Sequence, residues 1–434
     1  MFWLFNYGDY MKSISVLFAA MAVGAVSYGA ASPVNVPPLM TSFSGEKVES
    51  VEQWERVRRP EILKCMEKNE FGVRPEALKA EDVSFEIVES GEILGGKAVR
   101  EAVKATYKGP QGKYSFDFVS VRPKTGKPVP VLVAFLVGRR LVNPVENTSF
   151  TDDSWPVDDV IARGFATVAI SKNAIAPDVP EAGKNNNWRK CYEEGIFPAV
   201  EPLEKRDSSS WASISSWAWG NSRIMDWIES RPDVFDTKHV AILGHSRGGK
   251  TALWTGATDK RFALTYSVQS GCGGAKLNHI SLPKSESIKI ITKNFPHWFC
   301  KNYNKYRGKE MSMPFDQHML ASLVAPRLLL ISSATEDAWA GPKGEWSTAL
   351  LASPAWELYG KKGLVADKFP APETPQFNGS VGYFIRTGVH SLTRYEWARI
   401  MDFADMHGWN GKAVQKKALQ NRDAGIYDTP VKVK

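Results

Sequence analysis

Hydrophobic and polar positions alternate along residues 83–88, 99–107 and 114–121, and a period of two marks strands with one face covered and one face wet. The next two runs, 128–136 and 165–170, are apolar without alternation, as strands buried on both faces are. This contrast predicts an antiparallel edge followed by central parallel strands. Downstream the pattern settles into helix and strand by turns. Residues 213–230 read as a helix closed by Pro232 and Asp233, 239–243 as a buried strand, and 250–257 as a small-residue helix. Residues 262–268, 324–331 and 381–386 read as further strands, and 392–407 as a closing helix. Strands separated by helices imply right-handed crossovers, so the expected fold class is α/β: a three-layer sandwich whose mostly parallel central sheet carries helices on both faces. In such a sheet the loops at the carboxyl ends of the strands carry the site.

Two stretches fall outside this rhythm. Residues 32–80 are rich in proline and charge with one helical stretch at 50–69, and they hold too few apolar positions for a core of their own. They are expected to strap onto a catalytic domain spanning 81–434. Residues 173–210 read as a polar, loop-rich insertion, one of the loop insertions expected around the site. Ahead of the strap, Met11-Lys12-Ser13 leads into an apolar stretch from Ile14 to Val26, and Ser27-Tyr28-Gly29-Ala30-Ala31 supplies small residues for a signal peptidase. That run is shorter than the ~20 residues a membrane span needs. Residues 1–31 are therefore expected to be a signal peptide, and the mature chain to be secreted or periplasmic with no membrane span; the start codon is left open between Met1 and Met11.

Composition changes this picture little. The formal net charge is +8 with a pI near 9.1, but 55 basic residues face 47 acidic ones and no long basic block occurs, so the bias reads as solvated charge rather than a nucleic-acid surface. Fifteen tryptophans are many, and most are expected in the core, with aromatic platforms for sugar rings as a minority. Four cysteines, Cys65, Cys191, Cys272 and Cys300, have no metal-ligand spacing; export would permit disulfides, but sequence alone does not choose among the pairings.

Chemistry enters at Gly244-His245-Ser246-Arg247-Gly248, between the strand at 239–243 and the helix at 250–257. A Gly-x-Ser-x-Gly turn at a strand-to-helix junction is the nucleophile elbow of the α/β-hydrolase fold, where glycines on either side let the backbone pass a strained serine. Ser246 is the candidate nucleophile. The partners of such a serine follow in the order acid, then histidine, each just beyond a strand. His390, in Thr387-Gly388-Val389-His390-Ser391, has that address, whereas His279, His297, His318 and His407 fall in insertions or helices and read as structural hydrogen-bonding residues. The acid lies in the loop Ser332-Ser333-Ala334-Thr335-Glu336-Asp337-Ala338-Trp339, directly beyond the strand ending at Ile331, where either Asp337 or Glu336 could orient the imidazole.

With the elbow, the stretches Ser270-Gly271-Cys272-Gly273-Gly274-Ala275, Phe295-Pro296-His297-Trp298-Phe299, Pro314-Phe315-Asp316-Gln317-His318-Met319-Leu320, Asp337-Ala338-Trp339-Ala340-Gly341-Pro342 and His390-Ser391 resemble the bacterial branch of the glucuronoyl esterases, carbohydrate esterase family fifteen. The resemblance implies a serine esterase, needing no cofactor or metal, that cleaves the ester between 4-O-methyl-glucuronate of xylan and a lignin alcohol. It implies that Arg247 stabilises the oxyanion and that Lys250, Glu286 and Trp339 contact the sugar, although a short insertion interrupts the motif around Glu286. Some members place the acid just before the Ser-Gly-x-Gly-Gly stretch. Here that residue is Gln269, whose amide cannot carry the charge, so the role falls to Asp337. A monomer is expected, with no nucleic-acid partner. An acetyl or feruloyl xylan esterase on the same fold and an inactive carbohydrate-binding relative are the alternatives.

Overall fold

The computed structural model describes residues 35–136, 151–179 and 188–410; the stretch read as a signal peptide lies outside them. The alternating runs form an antiparallel meander of β1 (Val83–Ile93), β2 (Ala98–Gly109) and β3 (Gly112–Pro123). The apolar runs become β4 (Val129–Leu136) and β7 (Ala166–Ser171), separated by a small hairpin of β5 (Thr151–Asp152) and β6 (Trp155–Pro156). Four more strands, β8 (Phe235–His245), β9 (Leu264–Val268), β10 (Leu328–Ala334) and β11 (Val381–Arg386), complete a nine-stranded sheet in the order β1-β2-β3-β7-β4-β8-β9-β10-β11. From β7 to β11 every neighbouring pair is parallel, while β3 meets β7 antiparallel. The change of direction coincides with the change of hydrophobic pattern, because only strands covered on both faces can be apolar throughout.

The two faces of the sheet build two cores. Along β4, Val131, Val133 and Phe135 join one apolar cluster and Leu132 and Ala134 the other. The first cluster takes in α1 (Arg59–Met66), α2 (Ser213–Glu229) and α3 (Arg247–Thr258); the second takes in α5 (Arg394–Met406), with α4 (Pro342–Ala352) on the first face beside β10 and β11. Residues 35–80 add to the first core: Leu39, Trp54, Ile62, Met66, Phe71 and Leu78 are buried there, and Phe71 stacks on Trp254 of α3 with ring centroids 4.2 Å apart. At the open end of the sheet β1 is half exposed, and a bulge between Ile87 and Glu89 together with Glu86, Glu89 and Glu92 blunts its unpaired edge.

Two differences from the sequence reading bear on the site. The strand expected at 324–331 runs from Leu328 to Ala334: Pro326 has no N–H to give a ladder, while Ser332 and Ser333, which read as loop residues, are buried in β10 because their hydroxyls find Tyr266 at 2.8 Å and Glu345 at 2.6 Å. In the insertion expected to be polar and loop-rich, short helical turns at Trp188–Tyr192, Phe197–Val200 and Leu203–Lys205 bury Ile196, Phe197, Val200 and Cys191, so the described part of it is wall rather than solvated loop. All four cysteines are free thiols.

Candidate active site

Strand register brings the candidate residues to one edge. His245, Val268 and Ser332 stand side by side across β8, β9 and β10, and Ala334 is level with Arg386 on β11, so the segments bearing Ser246, Gln269, Asp337 and His390 leave the sheet together at its carboxyl end. At the elbow Ser246 has φ 59° and ψ −123°, a left-handed conformation costing of order 1–3 kcal/mol that only a fixed surrounding sustains. Its N–H donates to Val268 O at 2.9 Å, and its carbonyl accepts from Gly249 N at 2.9 Å to start α3. A Cβ on Gly244 would lie 2.3 Å from the carbonyl oxygen of Gly248, so the turn requires glycine there.

Asp337 and His390 meet across their two loops. The Nδ1 of His390 lies 2.6 Å from Oδ2 of Asp337, whose other oxygen accepts from the backbone N–H of Ala340 at 3.1 Å. Asp337 is buried, whereas the imidazole is 40 % exposed. Glu336 points its side chain to solvent and contributes its N–H to Gly388 O at 2.9 Å, tying the acid loop to the histidine loop. The neighbouring ring of His245 lies 4.3 Å from that of His390, which places the exposed imidazole at the elbow. Burial, and then the positive charge His390 can carry, push the pKa of His245 well below its usual value, so it remains neutral beside a protonated His390.

The histidine loop is braced from below. Gln269 accepts from Ser391 N at 2.9 Å and donates to Ser391 O at 3.0 Å, a two-bond grip on the residue after His390. Arg386 donates to the carbonyls of Val389 and Ser391, both at 2.8 Å, and pairs with the buried Glu396. Glu396 is also half of the capping box that starts α5, taking the N–H of Thr393 at 2.9 Å. One carboxylate thereby ties a helix terminus to the loop that carries the imidazole.

Beside the serine, Arg247 opens α3, where the first N–H groups have no acceptor within the helix. Its guanidinium pairs with the carboxylate of Asp178 and lies 4.5 Å from the ring of Trp298. Lys250, one turn on, is buried: its ammonium donates to Ser270 O, stands 3.9 Å from a carboxylate oxygen of Glu286, and sits 5.9 Å from the Trp298 ring. Burial lowers the lysine pKa and raises that of Glu286, each opposed by the other's charge. The backbone of Glu286 donates to Trp339 O at 2.9 Å, so the sugar-contact candidates Lys250, Glu286 and Trp339 are brought together despite the insertion. Trp339 is 47 % exposed, unlike the many tryptophans in the two cores. Three further histidines are spent on the scaffold: His279 on Asp316 at 2.8 Å, His297 on Asp178 at 3.0 Å and His318 on Pro37 O at 3.0 Å.

A family model for fungal glucuronyl esterases matches residues 145–360, a span that includes Ser246 and Asp337. A carbohydrate esterase from an unknown prokaryotic organism is 33% identical over 405 residues, covering 87% of this chain and 90% of its own length. The chain belongs to carbohydrate esterase family 15, the glucuronoyl esterases. The solved glucuronoyl esterase of Solibacter usitatus superposes on this esterase with a TM-score of 0.76 at 32% identity, over 87% of this chain and 98% of that one. The 4-O-methyl-glucuronoyl methylesterase of Thermothelomyces thermophilus is 26% identical over 410 residues, covering 85% of this esterase and 91% of the relative.

Several residues around the site of the esterase had no sequence signal of their own. Asp178 sits in Ala176-Pro177-Asp178-Val179-Pro180, which reads as a turn; only the pair of donors in His297-Trp298 hinted that a buried acceptor must exist. Glu345, buried under Gly271 N at 2.9 Å and Ser333 Oγ at 2.6 Å, lies in an ordinary helix pattern, and burial raises its pKa to about 7. Among the described residues, no group of three or more His, Cys, Asp or Glu side chains is arranged to hold a metal ion.

Proposed function

We propose that the chain is an exported serine esterase that hydrolyses glucuronate esters of the kind joining glucuronoxylan to lignin alcohols. The observation that carries this reading is the 2.6 Å contact of His390 Nδ1 with Asp337, made by an exposed imidazole beside a strained serine elbow. With Nδ1–H given to Asp337, the other ring nitrogen is the free base. Ser246 Oγ attacks the ester carbonyl as His390 takes its proton, and the imidazolium is stabilised by Asp337. The protonated imidazole then returns the proton to the departing alcohol, leaving the glucuronoyl group on Ser246. Water then gives a proton to His390 and attacks the acyl carbon, the bond to Ser246 Oγ breaks as the imidazolium returns that proton to it, and the glucuronic acid is released with the free serine regenerated. Negative charge on the carbonyl oxygen is met by Arg247, through its backbone N–H at the start of α3 and its guanidinium. Lys250 has donors beyond its two protein partners for ring hydroxyls, with Glu286 as the matching acceptor and Trp339 as an exposed apolar face for the ring.

The relatives named 4-O-methyl-glucuronoyl methylesterase support this substrate class, and the contact of His390 with Asp337 supports general-base chemistry at the elbow. The decisive experiment compares turnover of benzyl glucuronate with release of acetate from acetylated xylan, for the parent and for Ser246→Ala. Parent turnover of the glucuronate ester, abolished in a folded Ser246→Ala variant, is expected. Preference for acetylated xylan would assign a different ester, and turnover by the alanine variant would remove Ser246 from the mechanism.

A further inference from the structure

Close to the elbow, the buried carboxylate of Asp178 takes four donors. One oxygen accepts from Trp298 Nε1 at 2.8 Å and His297 Nε2 at 3.0 Å; the other accepts from Lys172 Nζ at 2.7 Å and from the guanidinium of Arg247. Four donors on two oxygens leave the carboxylate no freedom to turn. Burial works against its charge, but the bonds and charges of His297, Arg247 and Lys172 hold its pKa well below the usual carboxylate range. The other side of Arg247 is closed by aromatic rings: Trp298 and Phe295 stack on each other at 3.9 Å, with the guanidinium 4.5 Å and 5.2 Å from their respective centroids. Trp298 is itself fixed by Asp178, so one carboxylate sets both the guanidinium and the aromatic face it rests on.

We propose that Asp178 is a positioning residue for ester hydrolysis, holding Arg247 in place beside Ser246 before the oxyanion forms. This rests on the reading of Arg247 as the oxyanion-stabilising residue. An arginine side chain left free would have to be ordered during the reaction; one already pinned stabilises charge without that reorganisation. The ion pair does not cancel the arginine's effect, because Lys172 shares the same carboxylate. Two cations on one anion leave the trio with net positive charge at the elbow. Arg247 spends one of its five N–H donors on Asp178 and keeps others for a substrate oxygen.

The test is a double-mutant cycle on benzyl glucuronate with Asp178→Asn, Arg247→Ala and both together, with melting temperatures measured alongside. Asp178→Asn is expected to lower kcat by ~30–100-fold with KM within ~3-fold, and to cost no more than ~3-fold further once Arg247 is alanine. A carboxylate serving only the scaffold would lower kcat by the same factor in both backgrounds, and that result, or an unchanged kcat in Asp178→Asn, overturns the proposal. An unchanged kcat in Arg247→Ala would overturn the underlying reading of Arg247 and the proposal with it, whereas additive losses would leave that reading standing. Should Asp178→Asn not fold, Lys172→Met keeps the carboxylate and its other three donors: a ~5-fold loss of kcat that vanishes in the Arg247→Ala background is expected. Parent-like kcat in Lys172→Met, or the same loss in both backgrounds, would overturn the proposal.

Discussion

His390 with Asp337 and His279 with Asp316 are two imidazole–carboxylate pairs of nearly the same length, 2.6 Å and 2.8 Å, through the same ring nitrogen. Their surroundings differ completely. Asp316 also takes the backbone N–H groups of Asn278, His279 and Gln317 at 2.7–2.9 Å, and both members of that pair are buried. Asp337 takes one loop N–H besides its histidine, and the histidine is 40 % exposed at the elbow. A short bond between histidine and aspartate therefore identifies no catalytic group. What separates the two is whether the far side of the imidazole is open to a substrate or closed into the scaffold, and whether the carboxylate is spent on one ring or on folding a loop.

This comparison is broken or sharpened most strongly by replacing the two aspartates with asparagine. Asp337→Asn is expected to cut kcat by ~10³-fold or more, because an amide neither stabilises the imidazolium nor enforces its tautomer, while the melting temperature changes little. Asp316→Asn is expected to do the reverse, losing of order 3 kcal/mol of stability through stranded buried donors while the folded enzyme keeps kcat within a few-fold. Steady-state kinetics and thermal melts on both variants check this, and similar kinetic losses in the two would erase the distinction.

Next in size is the sugar side of the site. Lys250→Ala should lower kcat/KM for glucuronate esters by ~10–100-fold, the worth of a charge-assisted hydrogen bond, yet leave a small acetate ester within a few-fold. Equal losses on both substrates would make Lys250, like Asp316, a scaffold residue.

Buried carboxylates that hold no imidazole extend the comparison to pH. Burial raises Glu70, bonded to Gln317 Nε2 at 3.1 Å and 3.3 Å, to about 8. In the folded state it keeps its proton up to that pH, whereas the unfolded chain releases it near the ordinary carboxylate value. Its contribution to stability is therefore full below pH ~4.5 and is lost as the pH rises through about 8. Glu345 acts in the same direction up to about 7. Glu70→Gln, which has no proton to lose, should show a shallower fall in melting temperature between pH 5 and pH 8 than the parent; parallel curves would refute the assignment. The smallest effect is expected at Glu336, whose contribution to the site is a backbone N–H: Glu336→Gln should stay within ~2-fold of parent kcat. A loss matching that of Asp337→Asn would move the orienting acid to Glu336.

Much of this was legible in the chain because local patterns carried it. The period-two runs before residue 121 became the antiparallel meander, and the unbroken apolar runs became β4 and β7, since burial on one face or two writes itself into successive side chains. The elbow was legible because a left-handed serine with backbone packed against both flanks leaves glycine as the residue that fits at 244. Ser332 and Ser333 were misread because a buried hydroxyl looks like a loop residue until its partner is known, and those partners, Tyr266 and Glu345, come from distant segments.

By itself the sequence determined the order of strands and helices, the serine turn, and a short set of histidines and carboxylates placed just after strands. Each follows from covalent neighbours and from the periodicity of burial. The family resemblance already pointed to Asp337, but tertiary structure alone shows its carboxylate, and not that of Glu336, against the imidazole, because adjacent side chains diverge and only the position of His390, brought in from β11, shows which one it meets. It alone revealed Asp178, drawn from an unremarkable turn to satisfy donors from β7's exit, α3 and the His297-Trp298 segment. Hydrogen bonds and ion pairs between segments far apart in the chain obey the geometry of the packed sheet, and no local pattern records where that geometry will place them.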